Sequence, residues 1–406
     1  MLTSAQIAII NKKAAATPDA LKRDSLSNYF EGYYFVTLNT RAESPILSSV
    51  EGIIGATGPD SPHCRYTELG LGVIECWKRM PSICSTVKIG PCEAMPEHFH
   101  GLIHLLPGNK RHLGSLISGF MAGCTHAYWD TLGIEWRRDK LSAHALALPD
   151  RDRNHTRSFR GPALFVHGYN DVEAITEEQV QIKIAYIQSQ AERRLIKGRM
   201  HRCFCIERGK HSRSWSTEVA MRAVANDPFF ACNRDKCLTA QRNVTARLVI
   251  DEKGACLDYL GFPPLMADEK KLPLICHRRD AARFEQQKEA VMNAARNGWI
   301  IVSAFISPKE KDIKEQMMVE LLPFIEIMDN GFADRYKPTG KAFYACAENR
   351  LLQMSCWRYE YRKDVTVSRE MCLVMNELAR VISQRNDDWW KTWSAIVPQF
   401  NKQTAK

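Results

Sequence analysis

β-branched and aromatic residues fill Tyr33-Tyr34-Phe35-Val36-Thr37-Leu38-Asn39-Thr40, a composition that predicts a strand over 33 to 40. Short apolar stretches at 86 to 93 and 98 to 106 predict two more strands, and apolar positions at helical spacing predict helices over 67 to 80 and 112 to 129. Further on, Val180, Ile184, Ile187, Ala191 and Leu195 recur at three- and four-residue spacing, giving one apolar stripe from Thr176 to about Lys197, with Gly198 as its stop. Thr176 followed by Gln179 is a capping-box arrangement, and Glu177 and Glu178 suit the positive end of the helix dipole. The pattern then changes. Leu272 to Cys276, Trp299 to Ser303, Phe324 to Met328 and Leu351 to Met354 are short apolar strands separated by helical stretches at 280 to 297 and 309 to 321. Such alternation predicts a parallel sheet.

Two places in this pattern carry chemistry. In His98-Phe99-His100 the two-residue period of a strand puts both imidazoles on one face and Phe99 in the core behind them, a geometry that suits a metal-ligand pair. His104 shares that facing but lies about 13 Å beyond His100 at strand rise, too far for the same ion, and is expected to be structural. Glu97 is expected on the opposite face if the strand reaches that far. On the helix, Tyr186 and Gln190 are four residues apart and lie one above the other, so a phenol and an amide oxygen can point at one site. The bland alternative is a tyrosine flanking a buried stripe and a solvated glutamine.

Together these residues resemble the single-tyrosine HUH transposases, and within them the group that includes the REP-associated tyrosine transposases. The strand Tyr33 to Thr40 matches the family's opening strand, Met95-Pro96-Glu97-His98-Phe99-His100 matches its Met-Pro-x-His-apolar-His hallmark, and His112 to Met121 followed by Gly123-Cys124-Thr125 is similar to its next helix. Tyr186 and Gln190 match the spacing of its late tyrosine and third ligand. The resemblance covers about residues 28 to 198. It implies an α+β fold, a ferredoxin-like antiparallel sheet with helices on one side (the HUH endonuclease fold). It further implies Tyr186 as the catalytic nucleophile, His98, His100 and Gln190 as ligands of one Mg²⁺ or Mn²⁺, a covalent 5′-phosphotyrosine intermediate, single-stranded or hairpin DNA as partner, and a homodimer. Phe165 to Asp171 matches only loosely and contains a competing tyrosine, so Tyr169 is the alternative nucleophile. A domesticated DNA-binding protein that does not cut, and a replication or mobilisation nickase, are the rival functions.

Composition agrees without deciding. The 406 residues are 45% hydrophobic and 25% charged, ordinary globular material, with no apolar stretch long enough to suggest a membrane span and no apparent signal peptide. The 14 cysteines follow no disulfide framework and imply free thiols in a reducing cytoplasm. The net charge of +10 suits a polyanion, and its distribution says more. Arg193, Arg194, Lys197, Arg199 and Arg202 run on from the tyrosine helix and are expected to contact DNA phosphates. A second basic run, from Arg137 to Arg160, lies before that helix.

Four segments follow: a polar leader at 1–27, the transposase-like domain at 28–198, a basic connector or small subdomain at 199–268, and a Rossmann-like α/β domain at 269–406. The last loosely resembles the nucleotide-binding-like fold of DNA-processing and lysine-decarboxylase-like proteins. Its strand-end loops, Ser303 to Pro308 and Asp329 to Gly331, are where such a sheet would bind a ligand.

Overall fold

The computed structural model describes residues 28–134, 162–334, 336–361 and 367–392. The leader at 1–27 and the basic run from Arg137 to Arg160 lie outside the described residues. The chain divides into two compact units, Met1–Gly198 and Arg199–Lys406.

The first unit is built on a four-stranded antiparallel sheet, ordered β4-β5-β1-β6, from β1 (Gly32–Asn39), β4 (Val87–Met95), β5 (His98–Leu105) and β6 (Asn170–Ala174). A hairpin, β2 (Ser48–Glu51) with β3 (His63–Tyr66), forms a separate two-stranded sheet and leans on β4, where Ser48 Oγ donates to the Ala94 carbonyl at 2.6 Å. Pro96 and Glu97 form the two-residue turn between β4 and β5, which pairs Met95 with His98 and Glu93 with His100. A one-residue slip would send every side chain of β5 to the wrong face, so this turn fixes where the histidines point.

On one face Tyr34, Val36, Leu38, Phe99 and Ile103 pack against α1 (Glu68–Lys78) and α2 (Leu113–Thr131). The rings of Trp77, Phe99 and Phe120 meet there, Trp77 and Phe99 with centroids 5.1 Å apart. Gly101 permits that contact, since a Cβ on it would fall 2.6 Å from Trp77. On the other face Phe35, Leu102 and Ala174 pack against Val180 and Ile187 of α3 (Glu177–Gln188). Helices therefore cover both faces, not one as expected, because β1 and β5 carry apolar side chains on both sides and each set needs a partner.

The helix expected as continuous from Thr176 to Lys197 is two, α3 and α4 (Gln190–Arg199), parted at Ser189. Its start is as expected: Gln179 N–H donates to Thr176 Oγ1 at 3.2 Å, and Ile175 N–H donates to the Gln179 amide oxygen at 2.8 Å. The break has a local cause. The Tyr186 carbonyl accepts from Ser189 Oγ at 3.1 Å and from Gln190 Nε2 at 2.9 Å, and side chains that compete for a helix carbonyl bend the helix. Past the break the buried apolar positions are Ala191, as expected, and Ile196 in place of Leu195.

The second unit carries a six-stranded sheet in the order β9-β10-β11-β12-β8-β7. Its strands are β7 (Glu207–Lys210), β8 (Leu257–Gly261), β9 (Lys271–Pro273), β10 (Ile300–Ser303), β11 (Phe324–Ile327) and β12 (Leu351–Ser355). Neighbours from β9 to β12 are parallel, while β8 and β7 are antiparallel additions. One face packs against α7 (Phe284–Arg296), α8 (Pro308–Val319) and α9 (Gly340–Ala347), the other against α5 (Thr217–Ala225), α6 (Arg234–Arg247) and α10 (Arg369–Ser383). The stretch 199–268, expected as a connector or small subdomain, supplies β7 and β8 to this sheet and α5 and α6 to the same body.

The Rossmann-like expectation also needs correction. The parallel strands lie side by side in chain order, so right-handed crossovers put all their helices on one face and leave no switch point, the crevice in which a doubly wound sheet binds ligands. The expected ligand loop is filled from within. Glu310 is buried, and its carboxylate accepts from the backbone N–H groups of Cys276 at 2.9 Å, Ile306 at 2.8 Å and Ser307 at 2.9 Å.

Candidate functional site

The histidine face of the first unit gathers the residues that matter. His98 and His100 project from β5 with ring centroids 4.6 Å apart. Thr37, opposite His100 on β1, is joined to it by a hydrogen bond of 2.9 Å between Oγ1 and Nδ1. With Nδ1 engaged, Nε2 is the nitrogen left for a ligand; metal-binding imidazoles are commonly held in this way by a hydrogen bond to the other ring nitrogen. Phe35, two residues before Thr37 and so on the same face, stacks on His100 at 5.0 Å.

Helix α3 brings Tyr186 to this cluster, edge-on to His100 at 5.6 Å and to Phe35 at 5.7 Å. Tyr186 is 36% exposed, open enough for a large substrate to reach. Arg193 of α4 lies over it at 5.5 Å. Gln190 is buried, not solvated, and because its amide nitrogen is spent on the Tyr186 carbonyl, its oxygen is the atom that remains to accept or ligate.

The electrostatics favour a neutral His100. Burial, with His98, Lys183 and Lys197 around it, lowers its pKa from 6.5 to about 3. Glu97 is on the histidine side after all. It sits in the turn, where strand alternation does not apply, and its Oε1 accepts from Arg194 at 2.6 Å and lies 3.9 Å from His98 Nδ1. Among the described residues, no three His, Cys, Asp or Glu side chains gather so as to hold a metal by themselves. An ion here would rest on the two imidazoles and the Gln190 oxygen, a neutral donor set that fits a divalent cation meant to receive an anionic substrate.

Other expected residues lie elsewhere. Tyr169, just before β6, packs against the core on the α1 and α2 side, the face away from the histidines. Of the basic run, Arg193 is buried rather than on a solvated face, Arg194 is paired with Glu97, and Lys197 is near enough to His100 to act on its charge. Arg199 and Arg202 belong to the second unit and are exposed there. His104 stacks on Tyr33 at 3.8 Å, a structural contact.

Four residues of the cluster escaped the sequence: Thr37, Phe35, Lys183 and Glu93. Glu93, directly across from His100, accepts from the Tyr66 hydroxyl at 2.6 Å. The tight Pro96-Glu97 turn was the signal for it, since that turn alone sets the β4 to β5 register.

No family model matches the chain. An uncharacterised protein of Haemophilus influenzae is 23% identical over 115 residues, and the chain spans about 59% of that relative's length. Solved structures similar over part of the chain include two transposases. One, from Deinococcus radiodurans R1, is 13% identical with a TM-score of 0.23, covering 42% of this chain and 98% of its own. The other, a REP-associated tyrosine transposase bound to a REP hairpin, is 14% identical with a TM-score of 0.24, covering 41% of this chain and 72% of its own. Likenesses this weak carry no argument about this chain.

Proposed function

We propose that this protein is a single-strand DNA transposase or endonuclease that cleaves and rejoins DNA through a phosphotyrosine on Tyr186. The observation that carries the proposal is the meeting of Tyr186 with His100 on one sheet face, at 5.6 Å, beside the anchored amide of Gln190.

A phosphodiester resists attack because its anionic oxygens repel nucleophiles, so the site must hold it in line and offset its charge. Tyr186 Oη forms a bond to phosphorus as the bond to the 3′ oxygen breaks, and the phenolic proton ends on the released 3′ hydroxyl. One phosphate ester replaces another, so the bond energy is kept and the reverse step joins a new end. Thr37 and Phe35 hold the His100 ring in place, and Arg193 covers one face of the Tyr186 ring. A Mg²⁺ or Mn²⁺ ion on His98, His100 and Gln190 would withdraw charge from the non-bridging oxygens.

The test is incubation with labelled single-stranded hairpin DNAs and Mn²⁺, then a denaturing gel and peptide mapping. A covalent adduct on Tyr186, lost in Tyr186→Phe and His100→Ala but kept in Tyr169→Phe, is the expected result. An adduct on Tyr169 would move the nucleophile to the other face, and tight DNA binding with no adduct would leave a non-cleaving DNA-binding protein.

A further inference from the structure

We propose that Lys183 forms a phosphate subsite beside Tyr186, one that seats a phosphodiester of single-stranded DNA with no divalent ion present; this deepens the function proposed above and rests on it. Lys183 is three residues before Tyr186 on α3, so the two share a helix face. Its ammonium lies over the Phe35 ring at 5.1 Å, and that ring in turn stacks on His100 and meets the edge of Tyr186. The charge therefore stands over the ring that joins His100 to Tyr186, and it acts on His100 from there.

Exposed lysines ordinarily extend their charge into water. Lys183 is half-buried, and among the described residues no carboxylate forms an ion pair with it. Burial alone lowers its pKa, with no acid to raise it. Several other cations of the chain are matched, among them Arg194 by Glu97, Arg208 by Asp258 and Lys288 by Asp312. A partly desolvated ammonium without a counterion gains most from an anionic ligand. A singly charged phosphodiester is the anion that the neighbouring phenol would attack.

The experiment measures binding of a short single-stranded oligonucleotide to the full chain in EDTA, for wild type, Lys183→Met and Lys183→Arg. Methionine keeps the apolar stem over Phe35 and removes only the charge; circular dichroism confirms that each variant is folded. The expected result is about tenfold weaker binding for Lys183→Met, a salt slope shallower by about 0.7, and near-complete recovery in Lys183→Arg. In parallel, Lys183 is acetylated with an amine-reactive ester, with and without the dinucleotide dTpdT, and mapped by mass spectrometry. Protection by dTpdT in EDTA supports the subsite. Unchanged affinity and slope in Lys183→Met, or acetylation that dTpdT does not slow, would overturn it. The two proposals fail separately: protection of Lys183 without any Tyr186 adduct removes the cleavage function, whereas an adduct with unprotected Lys183 removes only the subsite.

Discussion

His100 is 5% exposed, and its surroundings disfavour a positive charge on the ring, holding its pKa at about 3 against an ordinary 6.5. Between those values the unfolded chain binds a proton that the folded chain refuses. Its stability is therefore fully kept above about pH 6.5 and lost as the pH falls toward 3, at up to about 1.4 kcal/mol per pH unit. His100→Asn removes this titration, so urea midpoints measured from pH 7 down to pH 4 should fall more steeply for wild type than for the variant. Parallel slopes would mean that the imidazole is protonated in the folded state. At this scale the sequence was partly legible. Two-residue alternation showed that His98 and His100 share a face; the four-residue spacing of Tyr186 and Gln190 presumed one continuous helix, whereas the two lie on successive helices. It could not show that Thr37 holds His100 or that Gln190 is anchored on the Tyr186 carbonyl, because the first contact crosses between strands distant in the chain and the second depends on a helix break.

Three strands of the first unit, β1, β4 and β5, were readable because apolar residues mark them and a two-residue turn fixes the register of β4 on β5; β2, β3 and β6 were not, since their short segments are largely polar. The break at Ser189 was not, since the apolar stripe runs through it and only the competition of two side chains for one carbonyl reveals it. Where β5 crosses α1, the contact depends on the missing side chain of Gly101 against the fully buried Trp77. Gly101→Ala should destabilise the first unit by about 1–3 kcal/mol, read as a lower urea midpoint, because neither strand nor indole has room to retreat. A midpoint unchanged from wild type would mean that the helix shifts freely on the sheet.

At the level of the whole chain, each unit has its own core. Among the described residues, the apolar clusters of the first unit draw on residues between Tyr29 and Ala191, and those of the second on residues from Phe204 onward. A fragment of residues 28–198 should therefore unfold by itself in one cooperative transition by circular dichroism, and a featureless melt would show that it needs the remainder. The place of 199–268 was not legible in the sequence, because its helices α5 and α6 find their apolar partner in α10, more than a hundred residues later, and alternation of strands and helices predicts parallel pairing but not strand order. Among the described residues no helix is long and apolar enough to cross a membrane.

The Glu310 carboxylate bears on how this second unit can evolve. Three backbone N–H groups from two strand-end loops converge on one side chain, which acts as a tethered occupant of a receptor the backbone has already built. Losing that side chain would leave the converging donors in place, at the spot where related architectures hold anions. One point mutation thus separates a loop that serves only the fold from a pocket on which selection for a small carboxylate or phosphate could act.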